Sequence, residues 1–307
     1  MQHSCQLPTI PLQMSLNLKT TWYNGCMAAH ILNGAKKAVS ILESLDAQEK
    51  PFKKKLISIV VGNDASSHFF ADLKIKRAKQ LGLLAEKSVF EENLEQSKII
   101  DSIQTFNDDP TVSGIVVQLP LPNPLHRHAI LSAVSTIKDV DCLNPQNVGS
   151  LLEGTYSFIS PVVLAVLDQI SETNIFAPQK IPYLGHTFTV PNLTGIPIAI
   201  LGGGLLVGKP LCSFLINRGA SAQILNEHTN NIGSYTKLAK IVITGTNSHD
   251  VLSSTDIKDG TVLIDVGNDI DKRTFIDREI FFSTNPGGIG PLTVAYLLFN
   301  TFYNPNI

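Results

Sequence analysis

Lys74 is the most reactive candidate in the chain, because Phe70 stands four residues before it in SSHFFADLKIKRAKQLG and the two share a face of any helix formed there. An ammonium beside an aromatic wall and partly withdrawn from water is disfavoured relative to the free amine, which makes the lysine a usable acid or base near neutral pH. The segment fits equally an ordinary amphipathic helix whose wet side carries Lys74, Lys76 and Lys79, since exposure is the default for lysine. Gln118 follows the apolar run Ile115, Val116 and Val117, at a strand's carboxyl end, where open parallel sheets place their ligands. Its amide is either a ligand contact or a tie for the loop that Pro120 and Pro122 stiffen. Asp139 and Asp141, two apart in KDVDCLNPQNVG, are either carboxylates for a substrate's donors or turn chemistry.

A second chemistry lies in IPIAILGGGLLVGKPL, residues 196–211. The apolar run Ile198 to Leu201 has strand length, and Gly202, Gly203 and Gly204 let the backbone turn tightly and approach a ligand before a helix whose first amides would face an anion. Gly202, Gly204 and Gly208 give GxGxxxG, one residue longer than the common dinucleotide fingerprint, and a ligand-free turn between strand and helix satisfies the same pattern. A second strand, Ser221 to Leu225, leads to Glu227, 19 residues after Gly208, where a dinucleotide fold holds the adenosine ribose hydroxyls.

These candidates need strands and helices in alternation, and the chain provides them. Apolar residues recur at helical spacing from about Asn24 to Leu45, LISIVV at 56–61 is a buried strand, and a second helix runs to about Leu81. A helix over Glu92 to Asn107, a strand at 115–117, strands near Ile198, Ala222, Ile241 and Val262, and a C-terminal helix from Leu292 to Thr301 complete the plan, two α/β domains. With 307 residues, 43% of them hydrophobic, the chain is long enough for two such units. The net charge of -2 gives no reason to expect nucleic acid or an anionic membrane as partner. The absence of a long apolar run or an ordered leader reads as a cytoplasmic protein. Cys5, Cys26, Cys142 and Cys212 are scattered, which suggests neither a disulfide framework nor a metal site.

Asn24-Gly25, then Val61-Gly62 with Ser67, Phe70, Lys74 and Lys76, then GIVVQLPLP at 114–122, KDVD at 138–141, NPQNVG at 144–149, VGKP at 207–210, IDVG at 264–267 and NPGGIGPLTVA at 285–295 occur in one order. Together they resemble the bifunctional methylenetetrahydrofolate dehydrogenase/methenyltetrahydrofolate cyclohydrolase family, over roughly Tyr23 to Thr301. The resemblance implies an extension over 1–21, a folate-binding unit over 22–158 joined by the C-terminal segment 290–307, and a Rossmann-like NAD(P)-binding unit over 159–289, usually in a homodimer. It implies Lys74 as the catalytic lysine, Gln118 as the glutamine that tunes it and Asp141 as the aspartate that holds the pteridine. Phe70 and the loop Pro286, Gly287 and Gly288 are then on the substrate, and Gly202, Gly203, Gly204 and Asn268 on the nicotinamide cofactor.

The chain departs from that pattern in places that bear on activity. Phe70 occupies the position of a tyrosine, keeping the stacking surface without the hydroxyl. Cys142 replaces a glycine after Asp141, FISPVV at 158–163 lacks an arginine and a glycine, and Gly204 and Leu205 replace a serine and a polar or basic residue. Residues 176–194 read as an insertion before the Rossmann strand. The expected activity is oxidation of 5,10-methylenetetrahydrofolate and hydrolysis of the product. A cyclohydrolase alone and a non-catalytic folate- or dinucleotide-binding relative are the alternatives. Glu227 would repel a 2'-phosphate, so NAD is expected to bind at least as well as NADP.

Overall fold

The computed structural model describes residues 29–49, 54–283 and 286–305; the expected extension over 1–21 lies outside the described residues. In chain order the first part holds β1 (His30–Leu32), α1 (Gly34–Asp46), β2 (Lys55–Val61), α2 (Ala65–Gln80), β3 (Leu84–Phe90), α3 (Gln96–Asp108), β4 (Val112–Val117), α4 (Arg127–Ala133) and α5 (Pro145–Glu153). Then follow α6 (Pro161–Glu172), a hairpin β5 (Pro178–Tyr183) and β6 (His186–Pro191), β7 (Pro197–Leu201), α7 (Gly208–Asn217), β8 (Ser221–Leu225) and α8 (Ile232–Thr236). β9 (Ile241–Thr244), β10 (Val262–Asp265), β11 (Phe281–Ser283) and α9 (Ile289–Phe302) end the chain.

Two parallel sheets carry the fold, one ordered β3-β2-β4 and the other β1-β11-β10-β9-β7-β8. β2, β4, β7, β9 and β10 are buried on both faces, as strands inside parallel sheets are. Ile57, Ile59, Val61, Ile115 and Val117 point into one apolar cluster while Leu56 and Val116 point into another, the period-two alternation of a strand. The cluster that takes Leu56 and Val116 also takes Ile198, Ile200, Ile241 and Ile264 from the other sheet, so one core runs through both units.

Of the helix expected from about Asn24, residues 24–28 lie outside the described residues; the described helix starts at Gly34, where the Asn33 side chain accepts from the Lys36 amide and caps it. His30–Leu32 is instead a strand paired with Phe281–Ser283, at the edge of the sheet that otherwise belongs to the second unit. β3 had no counterpart in the sequence reading because its centre, Glu86-Lys87-Ser88, has low strand propensity; pairing with β2 along its whole length, with a Lys55–Glu86 ion pair at 3.1 Å, makes it a strand. Residues 176–194, expected as an insertion, hold the β5–β6 hairpin, which packs on α6 and, through Tyr183 and Phe188, on Phe299 of α9. No helix among the described residues is long and apolar enough to cross a membrane.

Candidate active site

In α2, Asp64 caps the helix by accepting from the Ser67 amide at 2.7 Å, and the buried stripe is Ser67, Ala71, Lys74, Ile75 and Ala78, at helical spacing. Lys74 belongs to that stripe, whereas Lys76 and Lys79 are exposed, so the wet-side reading holds only for the latter two. Its Nζ donates to Gln118 Oε1 at 3.1 Å, and Gln118 Nε2 donates to Ser58 Oγ at 2.9 Å. The second bond sets which way the amide faces, oxygen toward the lysine. Ser58 lies in β2 and Gln118 just past β4, so the β2–β4 pair supports the lysine from below, and the Gln118 amide donating to Ile59 O at 2.9 Å holds that register. Ser58 was missed by the sequence reading; its signal was a serine inside the apolar run LISIVV. Phe70, one turn before Lys74, is 41% exposed and meets Phe69 edge-on with ring centroids 5.5 Å apart.

Burial lowers the pKa of Lys74, and the charge of Asp141 works against that shift. Burial raises the pKa of Asp141, opposed by Lys74. The two aspartates of KDVD have separate tasks. Asp139 accepts from the amides of Leu143 and Asn144 and from Asn147 Nδ2 at 2.8–3.1 Å, so it is the turn-forming carboxylate, and burial pushes it up to about 6 against those bonds. Asp141 is left to face Lys74. Cys142 adopts φ 59°, the conformation glycine takes at no cost, at an expense of about 1–2 kcal/mol for a side chain. The thiol is buried and donates to Phe158 O at 3.6 Å, and the loop keeps the turn that a glycine would make.

The glycine loop joins β7 to α7 where the strand order reverses, since β7 lies between β8 and β9. Gly202 has φ +102°, and a Cβ there would stand 2.5 Å from Gly245 O; a Cβ on Gly208 would overlap Gly202 O. Both must be glycine. Gly204, by contrast, has nothing within 4 Å and Gly203 only Ile224 at 3.4 Å, so the outer surface of the loop stays clear for the close approach of a phosphate. That cradle fits the pyrophosphate of a dinucleotide. Leu205, a residue the sequence marked only as a departure, packs against the apolar cluster of Val61, Val117 and Leu143 and so brings the loop onto the lysine-bearing unit.

Glu227 stands two residues beyond Leu225 at the end of β8, largely exposed, with His228 3.7 Å away. Asn268, at φ 61°, follows β10 in a loop that Asp265 and Asp269 fasten. Asp265 accepts from Thr244 Oγ1 and the Asp269 amide, and Asp269 accepts from the amides of Thr246 and Asn247. These two carboxylates were not singled out from sequence, although Asp265 ends an apolar run. Gly202, Gly203, Gly204, Glu227 and Asn268 thus share the carboxyl edge of one sheet. Gly287, at φ +97°, and Gly288 lie on the start of α1: Gly287 O accepts from the Ala35 amide at 2.8 Å, and the backbones of Gly34 and Gly288 touch. Pro286 is exposed before them.

The catalytic-domain model of the tetrahydrofolate dehydrogenase/cyclohydrolase family matches residues 26–141, and the NAD(P)-binding-domain model of the same family matches 184–306. The bifunctional protein FolD of a Hydrogenobaculum strain is 31% identical over 285 residues, 89% of this chain and 97% of that one, and the FolD protein of Bacillus subtilis is 30% identical over 90% and 97%. The crystal structure of the bifunctional enzyme FolD from Campylobacter jejuni superimposes with a TM-score of 0.78 at 28% identity, covering 90% of this chain and 98% of that one. With both halves of the family matched in order, and a fold that agrees along the length, the chain belongs to the tetrahydrofolate dehydrogenase/cyclohydrolase family.

Proposed function

We propose that this protein oxidises 5,10-methylenetetrahydrofolate to the methenyl form with NAD or NADP and hydrolyses that product to 10-formyltetrahydrofolate. The observation that carries the reading is the buried amine of Lys74, oriented by Gln118 and facing Asp141, on a unit against which the glycine loop is packed through Leu205.

The Asp141 carboxylate accepts from the pteridine's donors, and the exposed face of Phe70 lies under the ring system, with Pro286, Gly287 and Gly288 closing the other side. Gly202 to Gly204 would hold the pyrophosphate of the dinucleotide, whose nicotinamide would supply hydride acceptance. The oxidised bridge is a cationic carbon between two nitrogens. Lys74, whose burial favours the free amine, takes a proton from the water that attacks this carbon and returns it to the ring nitrogen as the carbon–nitrogen bond breaks, while the remaining hydroxyl proton leaves to solvent as the formyl carbonyl forms. Gln118 keeps the amine's lone pair aimed at that centre while accepting one N–H. Asn268 borders the nicotinamide, and Glu227, exposed at the end of β8, receives a ribose hydroxyl and repels a 2'-phosphate, so NAD binds at least as well as NADP. A homodimer in the cytoplasm belongs to the same reading, and sedimentation and cell fractionation check it.

The test is hydrolysis of methenyltetrahydrofolate, followed by loss of absorbance, together with reduction of NAD and of NADP during methylene oxidation. Lys74→Ala is expected to lower hydrolysis by about 10²–10⁴-fold, the usual contribution of a positioned acid–base group. Hydrolysis without reduction of either dinucleotide would leave a cyclohydrolase alone, and neither activity in a folded, folate-binding protein would sink the catalytic reading.

A further inference from the structure

The β5–β6 hairpin does more than cover the surface. Tyr183, its last residue before the turn, is buried, and its hydroxyl is a junction in a closed ring of hydrogen bonds. The Ile159 amide donates to Tyr183 Oη at 3.0 Å, the hydroxyl donates to Asn300 Oδ1 at 2.7 Å, and Asn300 Nδ2 donates to Ile159 O at 3.1 Å and to Val140 O at 2.9 Å. Val140 is the residue before Asp141, and Ile159 lies where the chain leaves the first unit for α6. The tyrosine ring is held in turn by Phe188 edge-on at 5.6 Å and Phe299 stacked at 6.3 Å, which connects the hairpin to α9.

We propose that the hairpin is a brace for the substrate half of the site, in which Tyr183, acting through Asn300, positions the backbone that carries Asp141. This rests on the assignment of Asp141 to the pteridine. The ring needs the hydroxyl specifically: it is the one group that both accepts from Ile159 and donates to Asn300, so without it Asn300 Oδ1 and the Ile159 amide lose their partner together, in a site closed to water. An Asn300 amide freed at one end turns more easily away from Val140 O. The 140–142 segment, which already carries the positive φ of Cys142, then loses one of its fixed points. Tyr183 is buried, acts through Asn300 and is a positioning residue.

The experiment compares Tyr183→Phe with Tyr296→Phe in the full chain. Tyr296 supplies a comparable loss: the residue is as buried as Tyr183, it lies on α9 one turn before Asn300, and its hydroxyl donates to Asp168 at 3.0 Å rather than into the Asn300 ring. Tyr183→Phe is expected to raise the KM for the methylene or methenyl folate about 5- to 30-fold, with kcat and the dinucleotide KM within about twofold, whereas Tyr296→Phe leaves all three within about twofold. Hydrogen exchange over residues 139–144 is expected to quicken in Tyr183→Phe alone. Equal folate KM shifts in the two variants, or an unchanged KM in Tyr183→Phe beside a lowered melting temperature, would reduce the hydroxyl to a plain core bond. If the unaltered protein turns over no folate, the functional reading fails by itself, and the exchange measurement still decides the brace. In the unaltered chain, amides 142–144 are expected to open together with the hairpin amides as denaturant is added. Opening of 142–144 well before the hairpin would overturn the proposal even if Tyr183→Phe did not fold.

Discussion

At the scale of the residue, Lys74 shows how little of a side chain's chemistry is its own. Its stem follows the buried stripe of α2, Gln118 holds its head, and burial lowers its pKa while Asp141 resists the change. The sign of the pH dependence follows. With the free amine as the base of the proposed mechanism, hydrolysis is expected to rise with pH through the lysine's pKa, with a midpoint below the ordinary lysine value of about 10.4. Asp141 stabilises the ammonium, so Asp141→Asn is expected to move that rising limb to lower pH, in addition to weakening folate binding. A limb that stays put or moves up, measured as the pH profile of methenyl hydrolysis at saturating folate, would refute the electrostatic coupling. The contacts that orient the Lys74 amine come from the sheet below it, through Gln118 and Ser58.

At the scale of the element, the turn from β7 to α7 separates glycines that the fold demands from glycines that leave room for a ligand. Gly208 sits against the carbonyl of Gly202, so Gly208→Ala forces α7 away from the strand and is expected to cost about 1–3 kcal/mol of stability, the range for overpacking, together with dinucleotide binding. Gly204→Ala meets open space and is expected to fold as stably as the parent, losing affinity only through the methyl's approach to the phosphates. Denaturant midpoints and dinucleotide titrations on the two variants check this, and equal destabilisation would be the contrary result. The hairpin obeys a related logic: its antiparallel pairing is local, but Tyr183 and Phe188 are ordered by α9, over a hundred residues away in sequence.

At the scale of the whole molecule, the two units are interlaced. β1 leaves the first unit to pair with β11 at the edge of the second sheet, and α9 returns from the second unit to pack on α1, α2, α6 and β4, burying nearly every residue from Leu292 to Phe302. Lys54 Nζ and the Asn304 side chain fasten the end of that return, on Phe302 O and on Ser113 O and Ile137 O. One apolar core runs through both sheets, so the units cannot lose their packing independently. Thermal unfolding is therefore expected as a single transition seen alike by far-ultraviolet circular dichroism and by Tyr fluorescence; two resolved steps would show that the interlacing contributes little.

Local sequence by itself determined much of this protein. The strand–turn–helix units, the glycine loop and the C-terminal helix follow from apolar periodicity, caps and glycine, which act within a few residues. The order of motifs around Lys74, Gln118, Asp141 and PGGIGPLT was enough to name the family. Tertiary structure alone decided that Lys74 is buried while Lys76 and Lys79 are not, because the helix presents all three and only its docking on β2 and β3 selects one. It alone divided the work of Asp139 and Asp141, since both suit a turn until the amides of Leu143 and Asn144 choose Asp139. And it alone found β1, β3 and the Tyr183–Asn300 ring, whose partners lie far along the chain, where no local pattern can record which hydrogen bonds and packed faces will meet.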